Sequence, residues 1–154
     1  MRSTPQASRV ALKPPGSVAG FVDGAWWPRS LDLAAELPSL LAALADRLER
    51  AGRVTFNLTA WKPPARRLSV DGKDVRLEGF RTQHANTLTV IGTDRRTRLT
   101  LLVIPPATDS AHAYQVLEAA AERDNVDGPD ALLRDRAGSA TQRWETEGGR
   151  LQRV

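Results

Sequence analysis

Three tryptophans and four arginines carry the most suggestive chemistry in this 154-residue chain. Trp26 and Trp27 stand side by side in VDGAWWPRSLDL, with Arg29 two residues on, and Trp61 closes the stretch NLTAW that begins at Asn57. Arg66, Arg67 and Arg81 follow in neighbouring segments. Indole faces attract guanidinium cations, and guanidinium groups hold carboxylates or phosphates through paired hydrogen bonds. Trp26, Trp27, Arg29, Asn57, Trp61, Arg66, Arg67 and Arg81 are therefore the candidate ligand-binding set, suited to an anionic or aromatic ligand. The competing expectation is a structural cluster, with tryptophan packed on a sheet end and Arg29 bonding backbone carbonyls or Asp23.

Catalytic and metal-binding patterns fail in turn. No G-x-S-x-G elbow, P-loop or G-x-G-x-x-G fingerprint occurs, so no catalytic residue is nominated. With no cysteine, the chain lacks disulfides, thiolate ligands and a cysteine nucleophile. Its two histidines are isolated: His84 lies in a loop-like TQHAN, and His112 sits one helical turn from Asp109 as a surface pair. DNVDGPD resembles a calcium loop, but aligning Gly128 with the loop glycine puts Arg123 and Arg134 where acidic ligands are needed. No metal or cofactor is expected.

The elements that must position these residues follow from periodicity. Arg9 to Lys13 reads as a short strand ended by Pro14-Pro15-Gly16, and Phe21 to Trp27 as a second. Ser30 is the expected N-cap of a helix carrying Leu33, Leu37, Leu40, Leu41, Leu44 and Leu48. Pro38 is expected to break it into a short piece to Leu37 and a reoriented piece to about Arg50, ended at Gly52. A run of strands follows. RRLSV and DVRLEGF flank the hairpin signal Asp71-Gly72, and TLTVIG and RLTLLVI flank Thr93 to Arg96. Asp109 caps an amphipathic helix to about Arg123, and Gly128-Pro129 opens one more short helix with Leu132 and Leu133.

This order predicts an α+β single domain: a twisted antiparallel meander sheet with helices packed on one face. Residues 8–136 form the domain, between a flexible tail over 1–7 and a disordered tail over 137–154 anchored only by Trp144. Alternation places Val54, Phe56, Leu58, Leu68, Val70, Val75, Leu77, Leu88, Val90, Leu99, Leu101 and Val103 under the helices. Thr55, Asn57, Thr59, Trp61, Arg67, Ser69, Arg76, Glu78, Thr87, Thr89, Arg98 and Thr100 then line the opposite face. Of Trp26 and Trp27, one enters the core and the other is at least partly exposed, because strand neighbours point to opposite sides.

Charge sharpens the picture. Residues 53–100 hold ten Lys or Arg against four Asp or Glu, whereas residues 31–52 and 101–136 are net acidic. The sheet is thus basic and the helices acidic, an asymmetry that attracts anions. No apolar run suggests a signal peptide or a membrane span, and with zero cysteines the expected compartment is the cytoplasm.

VDGAWWPRSLDL, ELPSLL, NLTAW, RRLSVDGKDVRLEGFR and LTLLVIPP together resemble a family of small actinobacterial domains of unknown function, over about Arg9 to Arg134. The resemblance implies one small domain in a bacterial cytoplasm and implies no reaction. The family often carries an acidic residue after the tryptophan that corresponds to Trp61; this chain departs from it with Lys62.

Three functions compete. The first is a non-catalytic binding module whose polar sheet face engages a protein or a small anionic ligand. The second is single-stranded nucleic-acid binding on the same basic face, by phosphate contacts and base stacking. The third is a small-ligand carrier or enzyme of helix-grip shape, which requires a deep apolar pocket containing His84 or Asp23.

Overall fold

The computed structural model describes residues 9–134 apart from Glu49, Pro63 and Asp71. Both expected tails and Trp144 lie outside the described residues. In chain order the elements are β1 (Val10–Leu12), β2 (Gly24–Trp26), α1 (Leu33–Ala43), β3 (Ala51–Asn57), β4 (Arg67–Val70), β5 (Lys73–Phe80), β6 (Thr87–Gly92), β7 (Arg98–Val103) and α2 (Ser110–Ala120). A last short helix, α3, spans residues 129–134.

The strands form one sheet in the order β1-β2-β7-β6-β3-β5-β4. Most neighbours are antiparallel, but β2 pairs with β7 and β3 with β5 in parallel. The chain is a single α+β domain with a mixed, mostly antiparallel sheet. It is not a plain meander, because β5 lies between β3 and β4. Both expected hairpins form. One closes at Val70 opposite Lys73, with Gly72 at φ +77°, and the other joins β6 to β7.

Strand alternation sorts the side chains into two cores. On one face, Leu33, Leu37, Leu40, Leu44 and Leu48 pack on Val54, Phe56, Val75, Leu77, Leu88, Val90, Leu99, Leu101 and Val103. Each fully buried leucine contributes about 1.5–3 kcal/mol. On the other face, Ala25, Trp27 and Leu102 pack against Val116, Leu117 and Ala120 of α2 and Leu132 of α3. The helices are thus divided between the faces rather than sharing one. The second core sits at the β1-β2-β7 end, where α2 makes its closest approach to the sheet, while the same face of β3, β5 and β6 carries mainly polar side chains, Phe80 and Ile91 excepted.

The two-sided core resolves the adjacent tryptophans. Trp26 is 3% exposed and Trp27 6%, so neither indole is left for solvent. The expectation that one would be exposed assumed a single core; each indole instead enters its own. Gly24 is required beside them: a Cβ there would lie 2.1 Å from Ala11 O, inside the β1 backbone.

Two expectations at strand ends are corrected. Trp61 is buried under α1, not on the polar face, and Leu58 is exposed rather than covered. β3 ends at Asn57, where the Asn57 side-chain oxygen accepts from the Thr59 N–H and the Ala60 N–H donates to Asn57 O. That turn stops the period-two alternation, so Trp61 is free to swing to the other side.

α1 also departs from expectation in two ways. Asp32, not Ser30, is its N-cap and accepts from the Ala35 N–H; the Ser30 hydroxyl accepts from the Asp32 N–H and donates to Glu36. Pro38 lies inside one continuous helix, which ends at Ala43 instead of near Arg50. Its ring faces solvent, and the buried leucine stripe outweighs the ~3 kcal/mol a mid-helix proline costs. Pro38→Ala should therefore raise unfolding stability by about 1–2 kcal/mol, after allowance for a looser unfolded chain. Chemical denaturation checks this; a loss of stability would show that the proline is needed where it stands.

Candidate functional site

The uncovered part of the second face is built of registered rows. Across β4, β5 and β3, Arg67 pairs with Arg76, and Arg76 with Arg53; across β6 and β7, Arg53 meets Ile91, and Ile91 meets Arg98. Four arginines thus occupy one cross-strand row spanning five strands. Like charges directly opposite one another in a sheet are unfavourable by roughly 0.2–1 kcal/mol per pair. Glu78 offsets part of this, lying 3.6 Å from Arg53 Nε and 3.7 Å from Arg76 Nη1. Arg67 and Arg98 have no carboxylate partner among the described residues.

The row is the floor of a concave trough of about 590 Å³, extended by Arg95 and bounded by Asp74. Arg95 has φ +65°, the left-handed region that favours glycine. The β6–β7 turn holds it there. Asp94 Oδ1 accepts from the Arg96 and Thr97 N–H groups, and the Arg95 N–H donates to Gly92 O. The Thr97 N–H first, and then that of Arg96, keep the Asp94 carboxyl below its ordinary pKa.

The next row, Glu78–Thr55–Thr89–Thr100, is polar and uncharged beyond Glu78, and the Thr89 and Thr100 hydroxyls bond at 3.1 Å. At the far end the face is closed by the β5–β6 loop. Gln83 donates to Thr55 O and Thr87 O, and Asn57 Nδ2 donates to Gln83 O at 2.6 Å.

The structure does not gather the eight nominated residues into one patch. Arg67 lines the trough, and Arg66 with Arg67 lines a neighbouring groove at the β4–β5 edge. Asn57 is buried as a loop anchor. Trp26 and Trp61 stack on each other in the α1 core, with centroids 5.6 Å apart and planes at 18°. Trp61 Nε1 is buried without a hydrogen-bond partner, a state that costs about 1–3 kcal/mol. Arg29 and Arg81 are exposed and line neither depression.

Trp27 does meet a guanidinium, but from Arg9 instead of Arg29. The Arg9 guanidinium lies 3.7 Å over the indole, Nε donates to Trp27 O at 2.8 Å, and Nη2 donates to Pro28 O. Burial, then the nearby Arg29 charge, lowers the Arg9 pKa from its ordinary value. Tyr114 packs edge-on against the same ring. This is a structural clasp between β1 and the second core.

Neither histidine stands in a catalytic arrangement. His84 Nδ1 accepts from the Asn86 N–H, so Nε2 carries the proton toward Asp130, 3.0 Å away on α3. His112 bonds Leu133 O. Of the trough arginines only Arg67 was nominated from sequence; Arg76 and Arg98 were placed on the polar face without a binding role, Arg53 lacks a distinctive neighbour, and Arg95 reads as an ordinary turn residue until its φ is known.

A small α+β domain with two cores and one open basic quarter is the class these features define. The chain belongs to a family of unknown function, DUF5994, whose model matches residues 9–120. That span runs from β1 through α2 and so includes the α1 core, the arginine row and the second core except for its α3 residue Leu132. No curated protein and no solved structure matches the chain. Among the described residues, no helix is long and apolar enough to cross a membrane.

The turn that holds Arg95 makes a pH prediction. A lowered folded pKa means that Asp94 supports the native state above the unfolded carboxyl pKa and loses that support as pH falls through the folded one. Asp94→Ala should therefore lower the melting temperature at neutral pH, with the difference from the native chain closing in strong acid. Equal melting temperatures at neutral pH would show that the turn does not depend on the carboxylate.

Proposed function

We propose that the chain is a non-catalytic binding module whose open sheet face engages a small anionic ligand bearing two or more phosphate or carboxylate groups. The observation that carries this is the single row of Arg67, Arg76, Arg53 and Arg98, with Glu78 the only carboxylate paired to it among the described residues. Folding alone disfavours such a row; an anion that bridges adjacent guanidinium groups turns the repulsion into attraction through charge-assisted hydrogen bonds. Arg95 supports the reading, since a strained backbone there keeps one more cation at the rim.

A compact ligand is favoured over a single nucleic-acid strand by the aromatic residues. Strand binders stack bases on exposed rings, and Trp26, Trp27 and Trp61 are all buried. The helix-grip alternative has less support, because α1 and α2 lie on opposite faces and neither Asp23 nor His84 lines the trough. The actinobacterial cytoplasm implied by the family resemblance is the setting we assign to this activity.

Calorimetric titration with inorganic pyrophosphate at low and moderate salt tests the proposal. Binding should weaken as salt rises. Arg67→Ala with Arg98→Ala should cost at least about tenfold in affinity, roughly 1.4 kcal/mol, with little change in melting temperature because both side chains are exposed. Arg95→Gly should weaken binding while keeping or slightly raising stability, since glycine accepts a positive φ. Arg81→Ala should bind as the native chain does. Unchanged affinity in the double variant, or a labelled oligo-dT that outcompetes pyrophosphate, would contradict the proposal.

A further inference from the structure

We propose a second binding site at the edge of the sheet: a groove, left where β4 stops short of β5, that takes an extended peptide of alternating acidic and apolar residues. β4 pairs with β5 only as far as Arg67 opposite Arg76, and one further bond runs from the Leu77 N–H to Arg66 O at 2.7 Å. β5 continues to Phe80. Phe80 O accepts from the Leu58 N–H, so Phe80 turns its backbone groups toward β3, and Gly79 turns its own outward as Leu77 does. Among the described residues, neither the N–H nor the C=O of Gly79 has a partner on that side. An unpaired donor and acceptor on a strand edge are a template for another strand.

The groove holds about 760 Å³. Its walls come from both faces of the sheet, Phe56 and Leu77 from the α1 core and Arg67 and Arg76 from the open face, which places it on the edge itself. Leu58 and Phe80, both exposed, also line it, and so does Arg66. Glu78 is paired with Arg53 and Arg76, whereas Arg66 and Arg67 have no carboxylate partner among the described residues. Pairing with Gly79 sets the pattern of the peptide. The residue opposite Gly79 exchanges two backbone hydrogen bonds with it and puts its side chain on the face that Gly79 shares with Leu77. There Leu58 Cδ1 lies 2.7 Å from where a Gly79 Cβ would stand, so an apolar side chain is favoured. The two flanking residues point to the other face, where Arg67 favours carboxylates. A bare phosphate has no donor for Gly79 O, and the groove shares only Arg67 and Arg76 with the trough, so this inference does not rest on the anion reading.

Proton–nitrogen correlation spectra of the full chain, titrated with the blocked peptide acetyl-Glu-Val-Glu-Val-Glu-amide, test this. The Gly79 amide signal should move downfield as its N–H gains an acceptor, and saturate with a Kd on the order of 0.1 mM. The same residues in the order Glu-Glu-Glu-Val-Val should bind about tenfold more weakly, and so should the alternating peptide methylated on both valine nitrogens. Leu58→Ser, at an exposed position, should stay folded and bind pyrophosphate as the native chain does, while losing about tenfold in peptide affinity. The inference is overturned if the Gly79 signal does not move, if the reordered or methylated peptide binds as tightly as the first, or if Leu58→Ser leaves peptide affinity unchanged. A native chain that is dimeric by light scattering, and monomeric as Leu58→Ser, would also overturn it by making a second copy the occupant.

Discussion

β2 is three residues long, yet the domain is organised around it. It is hydrogen-bonded to β1 on one side and in parallel to β7 on the other, so its side chains alternate in the middle of covered sheet. Trp26 points under α1 and stacks on Trp61, while Trp27, just beyond the strand, points under α2. A shift of one residue in this register would exchange the two indoles and leave each in a space shaped for the other. Gly24 enforces the close approach of β1 that closes the arrangement. Arg9 clamps it from outside, capping the Trp27 ring and holding the backbone carbonyls that follow.

Two cores on one sheet have a consequence for the surface. α2 and α3 cover only the β1-β2-β7 end of their face, because α2 begins seven residues after β7 and docks beside the strands it has just left. The remaining strands need polar side chains on that side, and the chain supplies threonines in one row and arginines in another. Thr89 and Thr100 satisfy one another. The arginines do not, and their mutual repulsion at one end of an otherwise well-paired sheet is the feature that stability alone does not explain. The molecule therefore presents unlike chemistry at its two strand ends, cationic where β3 begins and apolar beyond where it ends.

Much of the fold was legible because strand alternation is a local property. The assignment of Val54 and Phe56, Val75 and Leu77, Leu88 and Val90, and Leu99 and Leu101 to one face needed only a period of two. Asp109 as the cap of α2 and both hairpins were equally local. What escaped depends on partners distant in sequence. The parallel pairing of β3 with β5 brings Arg53 beside Arg76, and no pattern within either strand announces it. Trp61 was misplaced because alternation was extended past Asn57, where a side-chain-stabilised turn had already ended the strand. Pro38 was overrated as a breaker, since the buried leucines on both sides of it set a larger energy than one missing hydrogen bond. Of the nominated site residues, Arg67 of β4 was legible as exposed. The tryptophans were not legible as buried, because a second core cannot be inferred before α2 is placed.

The claim on which these points rest is that the two adjacent indoles are sunk into separate cores. Fluorine spectra of the chain labelled with 5-fluorotryptophan, with each signal assigned by single Trp→Phe replacement, measure this directly when a soluble paramagnetic agent is added. The signals of Trp26, Trp27 and Trp61 should all resist broadening. Strong broadening of either Trp26 or Trp27 would mean that one indole faces solvent, and the sheet would then have a single core and a different open face.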